Sequence, residues 1–356
     1  MTRITPPPSP KLFRPSRKTA LAGGLVIIGG TLMILTIPKL LLAPYLQGEF
    51  TTTGTTTPVS TSTPAAFPIG VNPKTKTVTE NPLITHYIGT IVASNHTSPS
   101  LAQNWFTKLA AKFAENEWFQ NLASPISRLL VIQSGERQEE ITTHFARILG
   151  WTEAEKETFR TRLAAEVPEL ADGKLYPGNY VVEKGADPDT VATAVADKFD
   201  SEVRTHYTDD IEAIVPIKDT LILASLLERE AYDFDDMRYI SGIIWNRLFI
   251  NMRLQIDATM QYAKASKLKN PGINDWWPTP LPADKFIDSP YNTYKYAGLP
   301  PAPIANPSID AIIAALNPRK TDCLFYFHDR KGKFYCTKTY EEHVTLLKQV
   351  YGGNAK

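Results

Sequence analysis

Several chemistries have no foothold in this chain. Its two cysteines, Cys323 and Cys336, are too few for a disulfide framework or a zinc site. Its six histidines (His86, His96, His144, His206, His328 and His343) show no metal-ligand spacing, and no HExxH occurs. His328 and His343 therefore read as structural residues. There is no GxSxG elbow, so a serine hydrolase of that type is excluded. There is no P-loop and no GxGxxG, which removes the usual phosphate cradles. Neither sign of charge dominates: 38 basic residues face 37 acidic ones, so no bulk field favours nucleic acid. No cofactor is implied. Carboxylate chemistry remains.

Proline, by contrast, is plentiful: the 28 in 356 residues are clustered, so part of the chain reads as linker. Residues 1–18 form a basic tail with Arg3, Lys11, Arg14, Arg17 and Lys18 and no acid. Thr19 to Pro38 is uncharged, mostly apolar and long enough to span a bilayer; Lys39 interrupts the run and Leu40 to Leu42 follow it. The run exceeds the length of a cleaved leader's apolar core, so 19–43 is expected to be an uncleaved transmembrane signal-anchor. The basic tail places the N-terminus in the cytoplasm and the rest outside. Residues 44–82, rich in Thr and Pro, are expected to be a stalk-like linker.

A globular pattern follows. Residues 83–128 remain unassigned as a domain, with a strand expected over 84–93 and an amphipathic helix over 101–122. Leu129 to Ile132 reads as a strand and Glu139 to Leu149 as a helix closed by Gly150. Thr152 and Glu155 have capping-box spacing for a second helix. Leu175 to Val182 is a turn entering a strand, and Asp189 to Phe199 a helix. That outlines a small βααβ module over 129–205.

The rest, 206–356, turns on the run from Asp219 to Ala231. It lacks Gly and Pro, is apolar on every face from Leu221 to Leu227, and ends in Glu228 and Glu230. Asp219 is the expected N-cap. A carboxylic acid at the end of a buried helix loses solvation, its pKa rises, and it becomes suited to general acid work. Residues two apart on a helix diverge by about 200°, so the two glutamates cannot serve one substrate together. The local run leaves them interchangeable. Asp235 to Phe249 reads as a second helix, and residues 264–290 as loop. Trp276 and Trp277 there are either a sugar-stacking pair or a loop anchor. A hairpin is expected around Asp329 to Gly332, then a helix from Tyr340 to Tyr351. The hairpin spacing sets Cys323 and Cys336 diagonally, so two free thiols are expected, although an oxidising compartment permits a bond.

Leu223 to Glu230, Ile244 to Leu248, Met252 to Asp257, Ser289 to Tyr294, Gly298 to Asn306 and Thr337 to His343, in that order, resemble the MltG/YceG-like endolytic murein transglycosylases. The module containing Leu175 to Tyr180 is similar to that family's LysM-like domain. The resemblance implies an α+β ectodomain and a lyase. It would cut the β-1,4 bond between N-acetylmuramic acid and N-acetylglucosamine within peptidoglycan strands, leaving 1,6-anhydro ends. The position it implies for the single acid/base is Glu228, in a groove beside Asn292 and Gln255. Glu230, Asn246, Gln255, Asp257, Tyr291, Asn292 and Tyr294 are implied in orientation and sugar binding, and peptidoglycan synthases are implied as partners. Ala258, Ala302 and Lys333 depart from the family's usual Pro, Gly and His. The competing class is a membrane-anchored peptidoglycan-binding protein without catalysis.

Overall fold

The computed structural model of the chain describes residues 65–80, 84, 126–165, 172–268, 272 and 275–352. The expected basic tail and membrane anchor lie outside the described residues, as do the helix expected over 101–122 and all but Ile84 of the strand expected over 84–93. Among the described residues no helix is long and apolar enough to cross a membrane.

The end of the expected stalk is corrected. Residues 65–80 are built into the folded body, where β1 (Val71–Asn72) and β2 (Thr77–Val78) pair as a short antiparallel hairpin. Phe67 and Val71 are buried. The Phe67 amide donates to His206 O at 2.9 Å, the Gly70 amide donates to Leu316 O at 2.9 Å, and Asn317 Nδ2 donates to Pro68 O at 2.6 Å. The physical reason is local. Phe67, Ile69 and Val71 alternate along five residues and supply the apolar surface that the surrounding Thr-rich stretch lacks.

The first apolar core belongs to the expected βααβ module. Strand β3 (Ser127–Ile132) pairs antiparallel with β4 (Gly178–Glu183) through the register Leu130↔Tyr180. Between them lie α1 (Gln138–Leu149) and α2 (Glu153–Ala164), and α3 (Pro188–Glu202) follows. Gly150 ends α1 with φ 75°, and Thr152 with Glu155 closes a reciprocal capping box on α2, as the sequence indicates. Leu130, Ile141, Phe145, Phe159 and Val195 fill the centre.

The second core is mostly helical: α4 (Asp209–Ile214), α5 (Ile217–Glu230), α6 (Phe234–Phe249), α7 (Asp257–Ala265) and α8 (Ile309–Leu316). Helix α5 starts earlier than expected. Pro216 takes the N-cap position, and Asp219 falls in the first turn, where its charge still suits the dipole. Every residue from Thr220 to Leu227 is buried, so α5 runs through the middle of the lobe. The last residues of helix α7 lie within the stretch 264–290 expected to be loop.

Helix α6 fixes the path to the final hairpin. Arg238 Nε, Trp245 Nε1, Asn246 Nδ2 and Arg247 Nε donate to the carbonyls of Asn317, Ala315, Thr321 and Leu324. Gly242 permits this approach, because a Cβ there would stand 2.3 Å from Arg319 O. The guided segment ends in β5 (Phe325–His328) and β6 (Phe334–Thr337), with α9 (Tyr340–Tyr351) packed behind. The expectation of free thiols is corrected here: Cys323 and Cys336 form a disulfide with their Cα atoms 5.8 Å apart. The strand starts only at Phe325, so Cys323 precedes the ladder and is not held in its diagonal register.

Asn306 joins the two lobes. Its amide donates to Glu136 O, its carbonyl accepts from Gly135, its Oδ1 accepts from the amides of Gly173 and Leu175, and its Nδ2 donates to Glu136 O. Asn306→Ala leaves two buried amides without an acceptor, a loss of about 2 kcal/mol or more. Calorimetry is expected to show a lowered Tm.

Candidate active site

Helix α5 delivers its last turn into a cleft of about 830 Å³. Acids come from α5 and the start of α7: Glu230 and Asp257. Phe325, Tyr326, Phe327 and His328 of the hairpin and Tyr340 and His343 of α9 make an aromatic lining. Arg247, Gln255, Lys285 and Tyr294 complete it.

Glu230 is the enclosed acid. Tyr326 OH donates to its Oε2 at 2.9 Å, and the Ala258 amide at the start of α7 donates to it as well. Burial pushes its pKa up to about 7, and the charge of Asp257 adds to the rise; the two hydrogen bonds and Arg229 oppose it less strongly. A carboxylic acid with its pKa moved toward neutrality is suited both to give and to take a proton. Burial also lifts the Tyr326 phenol well above its ordinary range, so it stays a donor.

The neighbours are held by local geometry. Asp257 Oδ1 accepts from Tyr294 OH at 2.7 Å. Gln255 has φ 52°, a left-handed conformation that costs a non-glycine residue about 1 kcal/mol. Its amide bond to Thr293 O, and that of Ile256 to Thr293 Oγ1, lock the turn and project Gln255 into the lining. Arg247 donates from Nε to Leu324 O at 2.6 Å and from its guanidinium to Leu254 O.

Glu228 lies elsewhere. Its Oε2 accepts from Ser308 N at 2.9 Å and from Ser308 Oγ at 2.6 Å, so it sits at the N-terminus of α8. It does not line the cleft and is not beside Gln255. The two glutamates diverge, as helix geometry requires, and it is Glu230 that faces the cleft.

Of the residues implied for sugar binding, Glu230, Gln255, Asp257 and Tyr294 come together. Three others do not. Asn246 holds the carbonyls of Thr321 and Cys323. Tyr291 packs on Tyr262 with ring centroids 4.7 Å apart. Asn292 is fully buried and donates to Lys285 O and Ile287 O. Trp276 and Trp277 anchor their loop instead of stacking in the cleft. Arg137 lies over Trp276 at 4.9 Å and Arg229 over Trp277 at 3.8 Å, while Trp277 Nε1 donates to Glu140 at 3.1 Å.

Sequence reasoning missed Tyr326, Arg247 and Lys285. Alternation along β5 was the available signal for Tyr326, since it puts Tyr326 and His328 on one face. His328 has Nε2 2.8 Å from Asp236 Oδ2, which fits its structural reading. His343 Nδ1 is buried without a hydrogen-bond partner.

Tyr326→Phe removes a bond that lowers the pKa of Glu230. The alkaline limb of a kcat/KM profile is expected to move to higher pH, with a rate loss of about tenfold from the loosened acid. A change in rate with no movement of that limb would contradict the assignment.

Fold and cleft together define an α+β protein with one enclosed carboxylic acid against an aromatic lining, arranged for general acid–base chemistry. The chain belongs to the YceG-like family, whose model matches residues 75–349. Two relatives bear the name endolytic murein transglycosylase. The Bacillus subtilis protein is 36% identical over 204 residues, which is 52% of this chain and 53% of the relative. The Streptococcus pneumoniae protein is 26% identical over 245 residues, 62% of this chain and 44% of the relative. The chain thus spans about half the length of the curated relatives it matches. The solved structure of a YceG-like protein from Listeria monocytogenes superposes with a TM-score of 0.52 at 24% identity, covering 79% of this chain and 98% of that one, and shows the shared fold.

Proposed function

We propose that this chain is an endolytic peptidoglycan lytic transglycosylase with Glu230 as its single acid/base. The observation that carries the reading is Glu230 itself: enclosed at the end of α5, open to the cleft, and with a pKa near neutrality. The names of the relatives support the substrate class.

In the proposed reaction Glu230 gives its proton to the glycosidic oxygen between muramyl C1 and the next sugar. Positive charge develops at C1, and the Asp257 carboxylate favours it electrostatically. The Glu230 carboxylate then takes the proton of the muramyl 6-hydroxyl as that oxygen closes onto C1. One bond breaks, one forms, the proton is returned to Glu230, and no water is consumed. Gln255, Tyr294 and the aromatic residues of β5 and α9 position the sugar rings, each ring face offering an apolar platform.

In the same proposal residues 19–43 anchor the chain in the cell membrane. The module over 129–205 is LysM-like and holds glycan strands, and synthases of new strands are partners. The test is digestion of purified glycan strands by the full chain in detergent, with products read by mass spectrometry. Anhydro-muramyl ends are expected. Reducing ends would make the protein a hydrolase, and intact strands would leave the non-catalytic binding reading.

A further inference from the structure

The cleft contains four side chains that carry or can carry positive charge; two are committed within the protein and a third is disfavoured as a cation. Arg247 is bonded to the carbonyls of Leu324 and Leu254. His328 is paired with Asp236 at 2.8 Å. Burial, and then the charge of Arg247, hold the His343 pKa below its ordinary value.

Lys285 is different. The acids nearest to it in sequence are taken by other cations: Asp284 by Lys264 at 2.9 Å and Asp288 by Lys295 at 2.6 Å. Asp257 is bonded to Tyr294. Among the described residues no carboxylate or carbonyl is bonded to Lys285 Nζ; it stands 4.8 Å from the centroid of the Tyr294 ring. Its backbone is fixed, because the buried Asn292 donates to Lys285 O at 3.1 Å. Arg247 keeps its charge but spends donors on the carbonyls of Leu324 and Leu254, so Lys285 supplies the one ammonium of the lining, in a cleft that also holds the acids Glu230 and Asp257. An acid in the cleft repels an anionic ligand, and an ammonium with uncommitted donors beside it offers such a ligand a complementary contact.

We propose that Lys285 is a specificity-determining residue that receives a carboxylate carried on the muramyl lactyl group of the glycan strand. This rests on the substrate class given under Proposed function. The shared chemistry is a carboxylate from one of two sources: the attached peptide, or the lactyl group itself in a strand stripped of peptide. An ammonium beside an aromatic face binds such a group by a charge-assisted hydrogen bond. Asn292 acts through Lys285, by holding its backbone, and not by touching sugar.

The test is equilibrium binding by fluorescence anisotropy, with the full chain in detergent and Glu230→Gln present to stop turnover. Three labelled tetrasaccharide probes are compared: one with peptides bearing free carboxylates, one with the same peptides fully amidated, and one stripped to the free lactyl acid. The acidic-peptide probe is expected to bind about tenfold more tightly than the amidated one, a ratio equal to about 1.4 kcal/mol. Adding Lys285→Met removes the preference, and Lys285→Arg keeps it. Tight binding of the stripped probe assigns the lactyl carboxylate, and weak binding assigns the peptide; either supports the proposal. Equal affinity for all three probes, or a preference that survives Lys285→Met, overturns it. Wild-type digestion separates this from the enzyme reading. Anhydro ends without a charge preference remove Lys285 alone, and a charge preference without products removes the enzyme and leaves Lys285 as the anion site.

Discussion

Glu230→Gln is expected to abolish the release of anhydro-muramyl ends, while Glu228→Gln retains it. The loss at Glu230 is at least two to four orders of magnitude, the range that general acid–base catalysis supplies. The amide cannot give a proton to a leaving oxygen, yet it keeps the shape of the acid and can still accept from Tyr326. Binding is therefore expected to survive, which separates lost chemistry from lost fold. Glu228 holds Ser308 at the N-terminus of α8. Its replacement removes a charge–dipole contact, a cost of about 1 kcal/mol in stability with activity largely intact. Timed digestion of glycan strands by the two variants, with mass spectrometry of the ends, decides between the glutamates. Full activity in Glu230→Gln would end the assignment.

The same variant is expected to gain stability at alkaline pH. The pKa of Glu230 rises from an ordinary 4.5 to about 7 in the folded chain, chiefly through burial. The native state then holds a proton that the unfolded chain has released, and stability falls as pH rises through that interval. This contribution is fully present below about 4.5 and gone above about 7. At about 1.4 kcal/mol per pH unit the ceiling on the loss is roughly 3.5 kcal/mol, reduced by cleft water that screens the carboxylate. Glutamine carries no charge to desolvate. Glu230→Gln should therefore melt higher than the parent at pH 8 and at about the same temperature at pH 4.5. Parallel melting curves across that range would mean that Glu230 is not held in a dry environment. Apart from this linkage the gain has a familiar meaning: a functional acid kept against its own solvation costs the fold stability.

Much of the candidate site was legible because the chain encodes it locally. Gln255 and Asp257 lie two apart on either side of a helix start, so one short segment sends both to the cleft. The apolar run from Leu221 to Leu227 could be nothing but a buried helix, and an acid at its end had to be poorly solvated. The βααβ outline, the capping box at Thr152 and the hairpin are likewise properties of neighbouring residues. What stayed hidden depends on contacts between distant segments. Asn246 and Asn292 look like ligands in sequence because amides bind sugars, but both spend their donors on backbone carbonyls of loops that only the fold brings near. The disulfide depended on where β5 begins, which is set by α6 donating to the carbonyls ahead of the hairpin.

By itself the sequence determined an α+β protein in which a buried helix ends in two glutamates pointing apart, in a chain without HExxH, P-loop or GxSxG motifs. Which glutamate faces the cleft was a matter of tertiary structure alone. Both are equally placed along the chain, and the helix rule says only that they diverge. Ser308 and the start of α8 come from eighty residues away to take Glu228, and Tyr326 comes from ninety-six away to meet Glu230. One carboxylate was thereby taken up by Ser308 at a helix N-terminus and the other enclosed against an aromatic cleft, a difference in surroundings that no local pattern records.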